Sequence, residues 1–495
     1  MKKVLIGILF IVVTVFVYLY NLAKGYRETT FCIIVTSDLG KWYDLMPRAA
    51  TAIAEALQSC EGRAVVIDNG GLLSFSTSEA VVRASMGSDA PESRYLAAVG
   101  YQFLNVTPDL FWLGAAAFKK FLHDAGVSVI TQNLHGEGGK RMVIGEVSLA
   151  VYGLVVAESP SFMPASLFEE VSYLDPFEGG GAAREEAPAD FNILVISADN
   201  GMLSGRRHAE PADILFAIHT HFPHLALVVS NDPFPPSLVA ESGGSTLFAS
   251  LNPSRPELFF AKTRMIRHRD DTRAIIVSLD TTRVAFDAVP PDPSLSDLFA
   301  SFQRGVREQT SLPAGVPWYP LDLRVSRRGD TPAGRLLHET LISIASRAGV
   351  RADMSAAFIP QRPFVHEAGT AFPLSSLDLF VPEDCYPLVV TMSGERLIDF
   401  LEKAWGHYPD AAVSLFPLSY TVSGEGRVSV RDSRFSLEKS YVLVVDGQIR
   451  EMLFSGEEEA HTTPVTVLSE RPGEYLARHF PSRLAHIFAP LWMSE

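Results

Sequence analysis

FCIIVTSDLG, residues 31–40, decides the fold of this chain. Six almost wholly apolar residues, Phe31–Thr36, are followed by the polar pair Ser37 and Asp38. A short apolar run of this kind is typical of a strand that is buried on both faces of a parallel sheet. The helical spacing of apolar residues at 46–58 comes next, and RAVVIDNGG at 63–71 predicts the following strand. Strands alternating with helices predict βαβ units.

The same alternation continues to about residue 288, where the clustered prolines of 289–297 mark a domain boundary because proline interrupts helices and central strands. A helix predicted at 298–308 bridges to a second α/β domain, in which residues 334–349 have apolar positions at helical spacing. Further strands are predicted at YQFLNV (101–106), VSVITQN (127–133), VSLAVYGLVV (147–156), FNILVISAD (191–199), HLALVVSN (224–231), AIIVSLDTT (274–282) and YVLVVDG (441–447).

The N-terminal stretch VLIGILFIVVTVFVYLYNLA, residues 4–23, carries no charge. Its length is the roughly 20 apolar residues that a helix needs to span a bilayer, and it lacks a good cleavage site for a signal peptidase. We therefore expect an uncleaved signal anchor in the inner (cytoplasmic) membrane, crossing once. The body would then lie in the periplasm or outside the cell.

The amino-acid composition limits the classes of binding partner that the chain can have. The formal net charge of -15 and the pI of about 5.4 argue against a nucleic-acid partner, since that binding relies on basic side chains. Three cysteines in 495 residues are not a disulfide framework. Cys32 and Cys60 either pair in an oxidising compartment or are two ordinary buried cysteines, and Cys385 is left over in both cases.

The order of segments resembles the 5′-nucleotidase and UDP-sugar hydrolase family, the two-domain calcineurin-like metallophosphatases. The resemblance implies an α/β fold with a four-layer metallophosphatase-like sandwich at 31–288, a linker with a helix at 289–325 and a smaller 5′-nucleotidase-type C-terminal domain at 326–495, after an anchor and stalk at 1–30. It is carried by FCIIVTSDLG (31–40), AVVIDNGG (64–71), YLAAVGYQFLNVTPDLFWLG (95–114), FNILVISADNG (191–201), GDTPAGRLLHETLISIA (329–345) and FPLSSLDLFVPEDCYPLVVTMSGERLIDFLE (372–402).

The family's chemistry is two-metal phosphoester hydrolysis, which requires Asp, His and Asn ligands at the strand ends. Asp38 matches the first ligand, whereas Gly40 and Gly71 stand where the family has His and Asp. Pro108 replaces the bridging Asn, and Asp109 takes the position of the catalytic His. The resemblance therefore implies a site that has lost most of its ligands.

The last metal motif can be aligned in two ways. In one alignment, His219 and His221 after the apolar run 212–218 supply the ligands. In the other, the strand is 224–231, Asp232 takes a ligand position, and 211–222 forms the crossover helix that parallel strands require. We favour the second alignment. A sharper hypothesis is that Asp38, Asp109 and Asp232 converge and bind one Ca²⁺ or Mg²⁺ through carboxylate oxygens.

Two residues of the C-terminal half match substrate-binding positions of the family. Arg362, in AAFIPQRPF, matches the arginine that holds the substrate phosphate, a role suited to bidentate donors. Phe454 is a weak counterpart of an aromatic residue that stacks on the base. Arg362 is equally explained as a surface ion-pair partner, and Phe454 is better explained as a core residue.

Whether the protein is an enzyme stays open at this point. The first hypothesis is a membrane-anchored 5′-nucleotidase-like protein that lacks the dimetal activity, needs no cofactor, and binds a nucleotide-like ligand or an envelope protein. The alternative is an active metal-dependent hydrolase of nucleotides or small phosphoesters with a rearranged site built on Asp38, Asp109, His219 and His221. In that case a divalent metal would be required.

Overall fold

A computed structural model gives the fold as two compact units. Unit 1 comprises the described residues of 1–74, 88–158 and 171–299, and unit 2 those of 75–87 and 300–495. The structure describes residues 13–15, 26–73, 79–80, 82–83, 90–107, 110, 113, 115–134, 139–156, 189–198, 218, 222, 225–232, 246–252, 257–268, 274–315, 321–322, 332–360, 365–381, 385–407, 411–418, 420–423, 426–430, 432–449, 465–472 and 475–479.

Unit 1 contains two sheets. In the first, four strands run parallel in the order in which they occur along the chain, and two antiparallel strands extend the sheet on the side of β1. These strands are β1 (Tyr26–Thr36), β2 (Ala64–Asp68), β3 (Phe103–Leu104), β4 (Ser128–Val129), β10 (Glu257–His268) and β11 (Ile275–Ala285). The helices between the parallel strands are α1 (Met46–Ser59), α2 (Pro91–Val99) and α3 (Ala115–Ala125).

The second sheet has the strand order β5-β6-β7-β8-β9, with an antiparallel hairpin at β5–β6 and parallel pairing from β6 onward. Its strands are β5 (Lys140–Ile144), β6 (Val147–Val156), β7 (Phe191–Ala198), β8 (Leu225–Ser230) and β9 (Leu247–Ser250). Thr131 pairs with Gly153, so the chain leaving β4 joins the first sheet to the second.

The main core of unit 1 lies between the two sheets. The inward-facing positions of β1, Phe31, Ile33 and Val35, contact the same cluster as Phe191 and Val195 of β7. Strands buried on both faces explain the unbroken apolar runs in the sequence, because the outer face of the second sheet is also covered, by a cluster that includes Ile218 and Phe222. The sandwich is therefore mixed α/β, as predicted.

The disulfide Cys32–Cys60 is formed, with a Cα–Cα distance of 6.1 Å and a sequence separation of 28. It joins the middle of β1 to the residue that ends α1. Of the two readings of these cysteines, the structure has the paired one, and the third cysteine, Cys385, is free and buried.

Unit 2 is built on one five-stranded sheet with a helix on each face. The helix α5 (Pro332–Arg347) packs on one face and α7 (Gly394–His407) on the other. The sheet order is β18-β14-β21-β17-β22. The other elements from residue 293 onward are α4 (Pro293–Thr310), β12 (Pro313–Gly315), β13 (Leu321–Asp322), β14 (Met354–Pro360), β15 (Val365–His366), β16 (Phe372–Pro373), α6 (Leu377–Phe380), β17 (Leu388–Ser393), β18 (Ala411–Phe416), β19 (Tyr420–Val422), β20 (Val428–Val430), β21 (Ser440–Val445) and β22 (Val465–Val467).

The structure differs from the sequence prediction at several element boundaries. β1 begins at Tyr26, five residues before the predicted strand, and α4 begins at Pro293 instead of Leu298. The long strand β10 was not predicted. The strand predicted at 274–282 is present as β11, which is the edge strand of its sheet and is largely exposed.

Within the described ranges, no helix has both the length and the apolar composition needed to cross a bilayer. The predicted anchor, residues 4–23, lies outside those ranges except for residues 13–15.

Candidate functional site

Asparagines follow the parallel strands of unit 1 at their carboxyl ends. Asn69 follows β2 directly, Asn105 follows β3, Asn133 stands four residues after β4, and Asn231 follows β8. All four are buried. The carboxyl ends of parallel strands are where α/β sheets place their ligands, so this edge is the candidate site.

The asparagine amides connect the two sheets. Asn69 Nδ2 donates to the carbonyl of Ile196 in β7 at 2.7 Å, and Asn105 Nδ2 donates to the carbonyl of Leu154 in β6 at 2.9 Å. Asn133 exchanges two hydrogen bonds with Val155, donating at 2.7 Å and accepting at 3.1 Å. These side chains are therefore committed to holding the strand ends together.

Asn105 is the centre of this network. Its Nδ2 also donates to Asn69 Oδ1 at 3.1 Å, and its Oδ1 accepts from Thr131 Oγ1 at 2.9 Å. A Cβ atom at Gly153 would lie 2.4 Å from Asn105 Oδ1, so glycine at this position of β6 lets the second sheet approach the amide closely. The network is a packed interior feature with no open face toward a ligand at Asn105.

Asp38 joins the ends of β1 and β8. Its Oδ2 accepts hydrogen bonds from Ser37 Oγ at 2.9 Å and from Asn231 Nδ2 at 3.0 Å. Asn231 Oδ1 in turn accepts from the backbone N–H of Ala198 at 2.7 Å, which fixes the orientation of the amide because that N–H can only donate. The amide therefore presents its nitrogen, not its oxygen, to the carboxylate.

The backbone conformation of Asp38 is left-handed, with φ 57°. Such a conformation is uncommon for a residue other than glycine, although Asp is among those that adopt it. It turns the chain from β1 into the loop 39–42, whose amides contact the loop after β2: Asp38 N donates to the carbonyl of Gly70 at 2.9 Å, and Gly40 N donates to that of Gly71 at 2.9 Å.

These two loops lie too close for side chains at the glycines. A Cβ atom at Gly40 would lie 2.3 Å from the carbonyl oxygen of Leu72. A Cβ atom at Gly71 would lie 2.6 Å from Asp38 Oδ1 and 2.9 Å from its Cα, and Gly71 has φ +67°. A side chain at either position would therefore meet backbone atoms or the Asp38 side chain across the two loops.

The described residues at the strand ends do not fit a pair of divalent cations. In the described part of the chain, no three His, Cys, Asp or Glu side chains are grouped so that they could hold a metal ion. Asp232 directly follows the loop residue Asn231 and is only 2% exposed, and its backbone N–H donates to Ser230 Oγ at 3.0 Å. Hard cations take several oxygen ligands, whereas the group facing Asp38 Oδ2 is an amide nitrogen.

A second buried carboxylate lies under the site. Asp68 accepts from Thr36 Oγ1 at 3.0 Å and from the backbone N–H of Gly70 at 2.9 Å, and the hydroxyl of Tyr101 lies 2.8 Å from that of Thr36. Burial raises the pKa of Tyr101 well above its usual value, and the charges of Tyr95 and Asp68 raise it further. The phenol therefore stays protonated and acts as a structural hydrogen-bonding group.

Gln132 differs from the asparagines. It is 7% exposed, and neither its Oε1 nor its Nε2 has a hydrogen-bond partner within the described residues. Its neighbours include Gly139, where a Cβ atom would lie 3.2 Å from Nε2. A buried amide left unpaired costs about 1–3 kcal/mol, so a ligand group that paired with Gln132 would relieve this cost.

Five of the seven site residues predicted from the sequence lie outside the part of the chain that the structure describes. They are Asp109, Arg362, Phe454, His219 and His221. Asp38 and Asp232 are both described, and the contact between Asp38 and Asn231 brings the ends of their strands together. β8 runs from Leu225 to Ser230, and Phe222 N donates to the carbonyl of Ile218 at 2.8 Å with Ile218 in a helical conformation.

The sequence analysis did not identify the four asparagines, because they are not among the metal ligands that the family resemblance implies. A usable signal was present, since IDN, FLN, ITQN and VVSN recur at the ends of the predicted strands. Repetition of one amide residue at equivalent strand ends indicates a shared structural role. Its partners are backbone carbonyls up to 127 residues away, which no local pattern reveals.

No protein-family model and no curated protein matches the chain. Solved structures do match. A candidate 5′-nucleotidase from Staphylococcus aureus, solved with alpha-ketoglutarate, has a TM-score of 0.63 and 14% identity, with 93% of this chain and 98% of that chain covered.

Two further structures have a TM-score of 0.51. They are a 5′-nucleotidase precursor from Thermus thermophilus (12% identity, 91% of this chain and 96% of that one) and the NAD nucleotidase of Haemophilus influenzae (10%, 92% and 97%). At these identities the likeness establishes the fold. The predicted resemblance to two-domain 5′-nucleotidases is confirmed at that level.

Proposed function

We propose that this protein, on a 5′-nucleotidase fold, lacks dimetal phosphoesterase activity and acts as a binding protein anchored to the inner membrane. Its binding partner would be either a nucleotide-like ligand or another protein of the cell envelope. The observation that carries the proposal is the closed packing of the two loops at Gly40 and Gly71. The positions that would have to supply ligands are occupied by backbone contacts instead.

Glycine at these positions is required by the local structure, because each substitution would force backbone atoms apart. The site would thus have to be rebuilt, not merely restored, before it could hold two cations. The hydrogen bond from the Asn231 amide nitrogen to Asp38 supports the same conclusion, since the amide occupies the side of the carboxylate where a cation would bind. Nucleotide-like ligands are proposed from the nucleotidase neighbours alone, and Gln132 offers a donor and an acceptor for a polar ligand group.

The disulfide supports the proposed location. Disulfides persist in oxidising compartments such as the bacterial periplasm and are rare in the cytosol. Cys32–Cys60 closes a loop in the first strand and helix of unit 1. A body exported behind the uncharged run 4–23 would meet those conditions.

The activity assay uses the full chain in detergent micelles, with AMP, NAD and a chromogenic phosphodiester as substrates. Mn²⁺, Co²⁺, Mg²⁺ and Ca²⁺ are each added in excess. We expect no metal-dependent turnover. Turnover that requires a metal and disappears in Asp38→Ala would establish the alternative, a hydrolase with a rearranged site.

Binding is measured separately from turnover. A ligand that binds only the folded state raises the melting temperature, by an amount set by RT ln(1 + [L]/Kd). AMP and NAD are titrated against the wild-type chain and against Gln132→Leu, which keeps the side-chain volume but removes both polar atoms. A rise in melting temperature that is smaller in the variant supports a nucleotide site at Gln132, whereas no rise with either nucleotide leaves an envelope protein as the ligand.

A further inference from the structure

Exposed apolar side chains collect at one end of unit 1, the end where β1 begins. Tyr26 is 48% exposed, and within Ile275–Val277 the exposure is 67%, 39% and 41%. The strand register places Tyr26 opposite His268 and Ile275 opposite Ile266, so both groups lie at the same end of neighbouring strands. This end is opposite the candidate site, which lies where β1 finishes.

The β5–β6 hairpin brings another apolar side chain to this end. Val143 is 69% exposed. The turn of its hairpin lies on the beginning of β1, because Arg27 forms an ion pair with Glu146 and a Cβ atom at Gly145 would lie 3.1 Å from Thr29 Cγ2. The name apolar end is used below for Tyr26, Val143, Ile275, Ile276 and Val277.

A buried carboxylate holds the apolar end in place. Asp190 accepts from the backbone N–H of Ala274 at 2.8 Å, from the N–H and Oγ of Ser148 at 2.8 and 2.7 Å, and from Arg267. Burial alone would raise the pKa of Asp190, but these hydrogen bonds together lower it. The carboxylate therefore ties the residue before Ile275 to β6 and β10 at neutral pH.

The position of the apolar end along the chain identifies what covers it. The uncharged run 4–23 finishes three residues before Tyr26. Three extended residues reach at most about 10 Å, so Tyr26 lies within that distance of the end of the run. Lys140 and Arg141 in β5 add positive charge beside Val143, which suits anionic lipid headgroups.

We infer that the apolar end rests on the bilayer surface, with Ile275–Val277 and Val143 in the headgroup region. The inference depends on the anchor proposed above. Exposed apolar side chains gathered at one end of a folded unit indicate an interaction surface, and aromatic residues such as Tyr26 are common at the membrane interface. The candidate site, at the other end of β1, consequently faces away from the membrane.

The test compares two positions on the same exposed strand. Ile276→Cys and Thr282→Cys are made separately in the full chain, labelled with an environment-sensitive fluorophore and reconstituted into phosphatidylcholine vesicles with or without phosphatidylglycerol. Six residues of strand separate the labels by about 20 Å. Cys385 is buried and the other two cysteines are paired, so an unsubstituted chain taken through the same labelling gives the background.

We expect nitroxide-labelled lipid to quench the label at position 276 at least threefold more than the label at 282, with a larger ratio in phosphatidylglycerol vesicles. Equal quenching at both positions overturns the inference. So does energy transfer between labels at 276 in lipid-free micelles, which would make a second copy of the chain the occupant. Vesicle flotation reports on the anchor independently: a chain that does not float overturns both the anchor and the inference.

Discussion

Replacing Gly71 by alanine tests whether loop packing closes the candidate site. The new Cβ would lie 2.6 Å from Asp38 Oδ1, where ordinary contacts are 3.4–4 Å, and the residue would keep φ +67°. The left-handed conformation costs about 1 kcal/mol for alanine, and overpacking typically adds about 1–3 kcal/mol. We therefore expect Gly71→Ala to lower the stability of unit 1 by roughly 2–4 kcal/mol.

Alanine substitutions at two other glycines measure the conformational cost and the steric cost separately. Gly62 has φ +74° and nothing within 4 Å of a Cβ atom, so Gly62→Ala carries the conformational cost alone. Gly40 has no positive φ but would place its Cβ 2.3 Å from Leu72 O, so Gly40→Ala carries the steric cost alone. Hydrogen exchange of amides in β1 and β2 measures the local stability of unit 1, apart from unit 2.

The result that would refute the reasoning is agreement between Gly71→Ala and Gly62→Ala within about 0.5 kcal/mol, since their difference is the steric term. A stronger version uses Gly71→Asp, which restores the family's ligand. We expect this variant to be destabilised further, because a second carboxylate would meet Asp38 at close range. Stabilisation of Gly71→Asp by Mn²⁺ would show that the loops can open around a metal.

Three more predictions concern the rest of the fold. Burial lowers the pKa of His338 to about 3, and its ring contacts Ser355 Oγ at 2.8 Å and Ser414 Oγ, so the folded chain keeps this histidine neutral where the unfolded chain binds a proton. The contribution of this histidine to stability is therefore fully present above pH 6.5 and is lost as the pH falls from 6.5 toward 3. Urea unfolding at several pH values should show that the free energy of unfolding of His338→Gln falls less steeply over this range than that of the wild-type chain. Reducing Cys32–Cys60, or replacing both cysteines with alanine, should lower the free energy of unfolding by about 3.5 kcal/mol, since the disulfide closes a loop with a sequence separation of 28. In the control variant Cys385→Ala, reductant should lower the stability by the same amount as in the wild-type chain, because Cys385 is not in the disulfide. Asn105→Leu should destabilise unit 1 by about 3 kcal/mol, because it removes three hydrogen bonds of about 1 kcal/mol each, whereas Asn252→Leu at an exposed position should cost little. Thermal unfolding compares the two variants.

The sheets were largely predictable from local pattern, because strands such as β7 and β8 are buried along their whole length and show as unbroken apolar runs. β10 was missed because Lys262, Arg264 and Arg267 interrupt its sequence. The alternation was nonetheless a strand signal, since Ala261, Thr263 and Met265 are buried between those charges.

The geometry of the candidate site could not be predicted from the sequence. Sequence alone placed glycine at two ligand positions, but only the structure shows that a side chain at Gly40 would strike the backbone of Leu72. The hydrogen bond between Asn231 and Asp38 spans 193 residues of sequence, and its donor is fixed by a third segment at Ala198. Such contacts depend on how two sheets pack, which no local pattern encodes.

The two ends of unit 1 together restrict what can reach the candidate site. β1 runs from Tyr26 to Thr36, about 33 Å for ten steps of extended chain, with Asp38 just beyond. If the apolar end rests on the bilayer, the asparagine edge lies up to about 33 Å from the headgroups, a distance reached when β1 is perpendicular to the membrane. A soluble nucleotide or another envelope protein is then favoured over a lipid headgroup as the ligand. A nitroxide lipid that quenched a label placed at Asp44, in the exposed loop after β1, would contradict this geometry and the orientation of unit 1 with it.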